Sequence, residues 1–307
     1  MPGSTPESGW EVRMRSGALE TALPRLRRWE ASTAGRVLRR PLGLSALAVI
    51  GVIAAAAVLA PVLAPFDPEA IHSDHVLSPP GWPFLMGTDD FGRDILSRVM
   101  YGGRISLAVG VSAVALGVTV GALVGLVSGY LGGWFDLLVQ RVIDALMSLP
   151  TLILALAIVA MLGTSVRNVI LAVGIALVPG TARVIRSVAL AVKEEPFIEA
   201  ARVVGCTNLR IIGRHLLPNA FGPLMVIATA NLGSAVVAEA ALSFLGLGTP
   251  PPTPSWGQMM TGSARTYIVT APWMAFFPGL VLSLLVLAVN LLGDTLRDVL
   301  DPRLRSR

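Results

Sequence analysis

The chain has 307 residues, 54% of them hydrophobic and only 14% charged, where a soluble domain carries about a quarter charged residues. With a mean hydropathy of +0.71 this excludes a water-soluble globular protein and indicates an integral membrane protein. The net charge of +5 and pI near 10.3 do not signal nucleic acid, because the arginines sit beside apolar runs instead of on a polar face with interleaved aromatics. One cysteine, Cys206, excludes an intrachain disulfide and a cysteine-based metal cluster.

In chain order, residues 1–41 read as a cytoplasmic tail behind which the first span is retained, and residues 19–40 suit a basic amphipathic helix on a membrane surface. Charge-free runs then mark six membrane helices, each needing about 20 residues. The first occupies 42–66 and the second 105–135. The third falls in 145–166 with a kink at Pro150, and the fourth in 168–182, extended toward Arg186. The fifth runs from 216 past Glu239 to about 246, and the sixth covers 266–293. Residues 67–103 form an outer connection, 104–297 a core of five spans, and 298–307 a second tail. Residues 247–273 form a second outer connection, with Trp256 and Trp273 as candidate interfacial anchors. Both connections could meet a delivery protein or simply seal the bundle.

Basic residues orient the scheme. With the N-terminus inside, cytoplasmic segments hold 19 of the 24 basic residues and the outer segments five. That bias predicts both termini in the cytoplasm. It also places the polar stretch 194–218 there.

This stretch is a charged island between apolar runs, and local signals give it shape. Pro196 suits the first turn of a helix, with Glu194 and Glu195 at its positive end. Gly205 supplies a left-handed stop and Thr207 a cap for a second helix. Two readings stand: an ordinary loop with two short helices, or a hairpin that inserts into a partner's groove.

Inside the membrane, Gly117, Gly121, Gly125, Gly129 and Gly133 recur every fourth residue, a smooth ridge for close helix packing. Pro150 and Pro179 predict kinks in the third and fourth spans. Glu239 is the most anomalous residue, since a carboxylate within a span is costly unless it faces water or a partner. It either lines an outward vestibule or bonds to a neighbouring helix. Asn231, two turns below, is a weaker pathway candidate. Asp294 is expected to pair with Arg297, and Asp144 to be solvated near the inner surface. His72 and His75 with Asp74 read as a solvated loop in preference to a metal site.

The spacing from Glu199, Ala200 and Ala201 through Gly205 to Leu217-Pro218 resembles the "EAA loop" of bacterial ABC importer permeases. His215, where the generic pattern has Ile, is similar to the dipeptide/oligopeptide subgroup. Gly87-Thr-Asp-Asp-Phe-Gly-Arg-Asp94, Ala241-Leu-Ser-Phe-Leu-Gly-Leu-Gly248 with Pro254-Ser-Trp256-Gly257, and Asn290-Leu-Leu-Gly-Asp294 with Asp301-Pro-Arg303 point the same way. The resemblance implies the all-α type I importer permease fold with six transmembrane helices. It further implies a plasma-membrane complex of two homologous permeases, two cytoplasmic ATPases that carry ATP and Mg, and an extracytoplasmic peptide-binding protein. Pro196, Glu199, Ala200, Ala201, Arg202, Gly205 and Arg210 would then form the ATPase-coupling surface.

No cofactor or metal site is expected on this chain. The one lysine, Lys193, lies outside any Gly-Lys-Ser/Thr context, so a phosphate-cradling loop is excluded, and no Gly-x-Ser-x-Gly elbow occurs. Within transport, nickel chelates or glutathione are alternative cargoes. An ion-coupled transporter would need ionisable relays and usually an inverted repeat, neither of which is evident.

Overall fold

The computed structural model describes residues 33–300. The expectations for 1–32 and for 301–307, the Asp301-Pro-Arg303 segment included, lie outside the described residues. Helix α1 is Thr33–Arg39, α2 Pro41–Val58, α3 Ala60–Leu63, α4 Ile95–Leu131, α5 Gly133–Met147, α6 Thr151–Leu162 and α7 Val166–Val192. Then come α8 (Pro196–Val203), α9 (Asn208–Ile211), a single π-helical turn (Ile212–Leu216), α10 (Leu217–Phe244), α11 (Trp256–Met259), α12 (Ser263–Thr266) and α13 (Trp273–Leu300). Among the described residues five helical runs are long and apolar enough to cross a membrane, and α5 with α6 makes a sixth, broken one, bent by 89°.

The break follows from Pro150, which lacks an N–H and disfavours a helical conformation in the residue before it. The sequence suggests a kink there; the structure has two separate helices. Helix α4 starts about ten residues earlier than expected from charge, because Asp94 caps it, accepting from the Ser97 N–H at 2.8 Å and the Ser97 hydroxyl at 2.6 Å. Arg98 and Arg104 therefore lie inside the helix. At the other end Gly132 adopts φ +66 and stops it, so Gly133 falls outside the glycine ridge. Helix α13 is shifted toward the C-terminus of its expected range, starting after Pro272 and carrying Asp294, Arg297 and Asp298 within it. Pro179 sits inside α7 without ending it.

The dominant packing pair is α4 against α7, and the ridge explains it. A β-carbon at Gly117, Gly121, Gly125 or Gly129 would lie 2.6, 2.8, 2.5 or 3.0 Å from the carbonyl oxygens of Gly174, Val178, Ala182 and Arg186 in turn. Four glycines four residues apart thus meet four carbonyls four residues apart. Any side chain on this seam would force the backbones apart, and the absence of one permits the close contact typical of small-residue interfaces. Around the seam a core cluster joins α4, α6, α7 and α10 through Val109, Val159, Val173 and Leu242. A second cluster, with Leu126, Ile185, Ile198, Ile211 and Leu216, packs the 196–216 hairpin onto the ends of α4 and α7.

Ion pairs hold the broken span to this pair. Arg186 grips Asp136 on α5 through two nitrogens, its Nε at 2.7 Å. Arg183 pairs with Asp144, which is therefore not simply solvated as the sequence suggested. Asp298, instead of Asp294, carries the ion pair at the end of α13, and its partner is Arg40 at 2.6 Å.

Candidate coupling and translocation sites

The hairpin is built from strong local signals. Pro196 opens α8 after the extended Glu195. The helix ends as the N–H of Gly205 (φ +84) bonds to the Arg202 carbonyl at 2.9 Å and that of Cys206 to Ala201 at 3.0 Å. This doubled closure is the Schellman arrangement, and only a residue tolerant of positive φ fits there without strain. Thr207 accepts from the Arg210 N–H at 3.4 Å and caps α9.

Tertiary contacts then lock it in place. Ile198, Ile211 and Leu216 are buried, each contributing about 1.5–3 kcal/mol. Tyr130, in the last turn of α4, shares a hydrogen bond with Asn208 at 3.2 Å. The Arg202 guanidinium rests over the Tyr130 ring at 5.4 Å. Arg202, itself exposed, thus also touches α4 through that ring.

The outer surface has a composition that sequence reasoning missed. Glu199, Ala200 and Arg210 are exposed as expected, and Ala201 is half-buried. Beside them Val203 and Val204 are each 83% exposed and Leu209 82%. The hairpin thus carries an apolar tip beside its charged residues. The available signal was two consecutive β-branched residues at the end of α8, past the face that Ile198 buries.

At the level of the broken span a cavity of about 640 Å³ opens between α6, α7, α10 and α13. Its lining is apolar but for a few groups, chiefly Asn231, Ser234, Asn290 and Thr151. Asn231 donates to the Thr181 hydroxyl at 3.3 Å, which leaves its carbonyl oxygen available. Pro150 and Pro179 also line the space, so both proline positions fall on one cavity. Such a chamber, mostly apolar with sparse convergent polar groups, is the usual form of a small-molecule site.

Glu239 does not line it. The side chain is fully buried and receives the Ser106 hydroxyl at 2.9 Å and the Ser243 hydroxyl at 2.8 Å. Ser106 also accepts the Trp256 main-chain N–H at 3.4 Å, and the Trp256 indole donates to the Val99 carbonyl at 2.9 Å. Glycines make room: a β-carbon at Gly103 would lie 3.0 Å from the Trp256 ring. Trp256 is thus a buried bolt and not an interfacial anchor. Of the two readings of Glu239, the neighbouring-helix bond is the one this geometry favours. Glu239→Ala would leave two buried hydroxyls without an acceptor, at about 1–3 kcal/mol each. The expected result is a melting midpoint lowered by several degrees with normal transport per folded complex. Normal stability with impaired transport would restore the pathway role.

The fold is thus a helical membrane bundle with an apolar-tipped hairpin at one end. The chain matches the family described as binding-protein-dependent transport system inner membrane component over residues 117–306. Residues 31–80 match the N-terminal transmembrane domain of oligopeptide transport permease C. A dipeptide transport system permease of Alkalihalophilus pseudofirmus is 43% identical over 265 residues, covering 85% of this chain and 87% of the relative. A glutathione transport system permease of Escherichia coli O6:K15:H31 is 43% identical over 272 residues, covering 88% and 89%. Among solved structures, the MetNI methionine ABC transporter in an inward-facing conformation superimposes with a TM-score of 0.53 at 22% identity, covering 66% of this chain and 96% of that one.

The chain therefore belongs to the binding-protein-dependent transport system inner membrane components, the permease subunits of ABC importers. It is a multi-pass inner-membrane protein with the type I importer fold. Membership implies ATPase and substrate-binding partners.

Proposed function

We propose that this permease moves di- and oligopeptides inward by alternating access, paired with a second homologous permease. Two cytoplasmic ATPases, which hold the ATP and Mg, would dock on the hairpin, and an extracytoplasmic binding protein would deliver cargo at the other end. The chain itself performs no catalysis in this scheme. The observation that carries it is the hairpin: fixed to α4 through Tyr130, yet presenting Val203, Val204 and Leu209 bare beside Glu199 and Arg210. ATP-driven closure of the partner pair would draw two such hairpins together, and the state with the better ATPase contacts would be stabilised. The chamber lined by Asn231, Ser234 and Asn290 would form part of the passage, with side-chain amides matched to peptide backbone groups. Peptide names among the relatives support the cargo; a relative of the same identity named for glutathione, itself a tripeptide, supports a small-peptide variant.

The test is reconstitution of the full complex in proteoliposomes with its binding protein. ATP-dependent accumulation of labelled tripeptide is the expected result. ATP hydrolysis with no uptake of di-, tri- or longer peptides would overturn the cargo assignment.

Orientation is tested separately. In a Cys206→Ser background, cysteines at exposed positions His75 and Val269 should react with an impermeant reagent from outside. One at Leu209 should react only after permeabilisation. The reverse pattern would invert the topology and remove the hairpin from the ATPases.

A further inference from the structure

At the end of the bundle opposite the hairpin, the segment before α4 and the 246–264 loop enclose a second cavity, of about 560 Å³. Most of its wall is apolar, including Ile95 and Met274, but four charged residues interrupt it: Asp89, Asp90, Arg93 and Arg98. Three of them belong to one built network. Arg98 is 3% exposed and Asp89 6%. Asp89 is held by the main-chain N–H groups of Phe91 and Arg93, both at 2.9 Å, and it accepts from the Arg93 Nε at 2.7 Å. The Arg98 Nε stands 3.7 Å from the same carboxylate, and one Arg98 terminal nitrogen bonds the Pro68 carbonyl at 3.0 Å.

Within that network one carboxylate serves two guanidinium groups, and Glu69, Asp90 and Asp94 stand nearby, so the wall carries no surplus positive charge. What it offers is donors: among the described residues the Arg93 terminal nitrogens have no hydrogen-bond partner. Asp90, the next residue, bonds the Ser263 hydroxyl on the facing loop through one oxygen. Among the described residues its other oxygen has no partner. Preformed guanidinium donors and a half-satisfied carboxylate thus line one mostly apolar cavity.

We propose that this cavity receives free peptides by their termini, the carboxylate on Arg93 and Arg98 and the ammonium on Asp90. The proposal rests on the peptide reading above and adds a site to it. Termini are what all unblocked peptides share, so a site that reads them is indifferent to sequence. The apolar remainder accommodates varied side chains. Because Asp89 and Pro68 already hold the guanidinium groups in place, binding requires little reordering of the wall, and charge-assisted bonds supply the discrimination. A phosphatidylethanolamine headgroup carries the same pair of charges, so the lipid must be varied in the test.

The assembled permease–ATPase complex in nanodiscs, without binding protein, is dialysed against labelled trialanine. Saturable binding is expected in discs with or without phosphatidylethanolamine, and none for N-acetyl-trialanine amide. Asp90→Asn and Arg93→Gln should each weaken trialanine binding about tenfold or more. Ser263→Ala removes the hydrogen bond to Asp90 but keeps its charge, and should bind like wild type. Absence of trialanine binding, equal binding of the blocked peptide, unchanged affinity in both charge variants, or binding abolished by the presence of phosphatidylethanolamine would each overturn the proposal. ATP-driven peptide uptake by the wild-type complex with its binding protein would leave the proposed function standing in every such case.

Discussion

Gly125→Val is expected to prevent accumulation of the folded permease. A β-carbon there would sit 2.5 Å from the Ala182 carbonyl, 2.9 Å from the Arg186 nitrogen and 3.1 Å from the Ile185 β-carbon. Two of those three atoms are backbone, so no side-chain rotation relieves the clash. The helices must separate, and the same seam is shared by Gly117, Gly121 and Gly129. Overpacking a core costs about 1–3 kcal/mol when side chains can adjust and more when the backbone must move, against a total stability of about 5–15 kcal/mol. Separation would also stretch the Arg186 grip on Asp136 and loosen α5. Gly51→Val is the control, since a β-carbon on that glycine of α2 meets nothing within 4 Å. Fluorescence-detected size exclusion should show a monodisperse peak for Gly51→Val and little or none for Gly125→Val. Equal peaks and equal melting midpoints would mean that the seam is not what holds α4 to α7.

The seam was legible in the sequence because a four-residue repeat of glycine maps directly onto one helix face. The hairpin was legible for a similar reason: Pro196, Gly205 and Thr207 each act on the backbone within a few residues of themselves. What could not be read depended on partners distant in the chain. Arg98 looked like an obstacle to a membrane helix, but Asp89 and Pro68 offset its burial, so α4 runs through it. Pro150 announced a disturbance without its size, and the structure has an 89° break there. Glu239 stood out as an anomaly, yet its direction was undetermined until Ser106 on α4 and Ser243 a turn away were seen to enclose it. Trp256 looked like an interfacial residue because nothing local reveals that Gly102 and Gly103, about 150 positions earlier, leave a slot for its ring. Exposure of Val203, Val204 and Leu209 left only a weak signal, the β-branched pair off the Ile198 face, because apolar residues are ordinarily assigned to a core.

Reversing the hairpin's chemistry should uncouple the machine while leaving the membrane part intact. Glu199 and Leu209 are both exposed and their side chains make no hydrogen bond or ion pair among the described residues, so Glu199→Lys and Leu209→Asp should insert and fold normally. Against a docked ATPase the losses are substantial. A shielded charge-assisted bond from Glu199 would be worth about 1.5–3 kcal/mol, and burial of Leu209 a similar amount. Leu209→Asp adds the penalty of desolvating a new carboxylate. Each variant should therefore reduce ATPase co-purification about tenfold or more, and the double variant should abolish it. Gly205→Val acts differently. Valine is strained at φ +84, so the turn that sets α9 against α8 should shift, and the Tyr130–Asn208 bond with it. Here the ATPases could still bind, but peptide uptake per ATP hydrolysed should fall. Measuring co-purification, hydrolysis and uptake for all three separates docking from transmission. If the exposed tip were only a solvated loop, Glu199→Lys and Leu209→Asp would stay within about half a kcal/mol of neutral. Wild-type co-purification and wild-type uptake in both would then exclude the hairpin as the coupling surface.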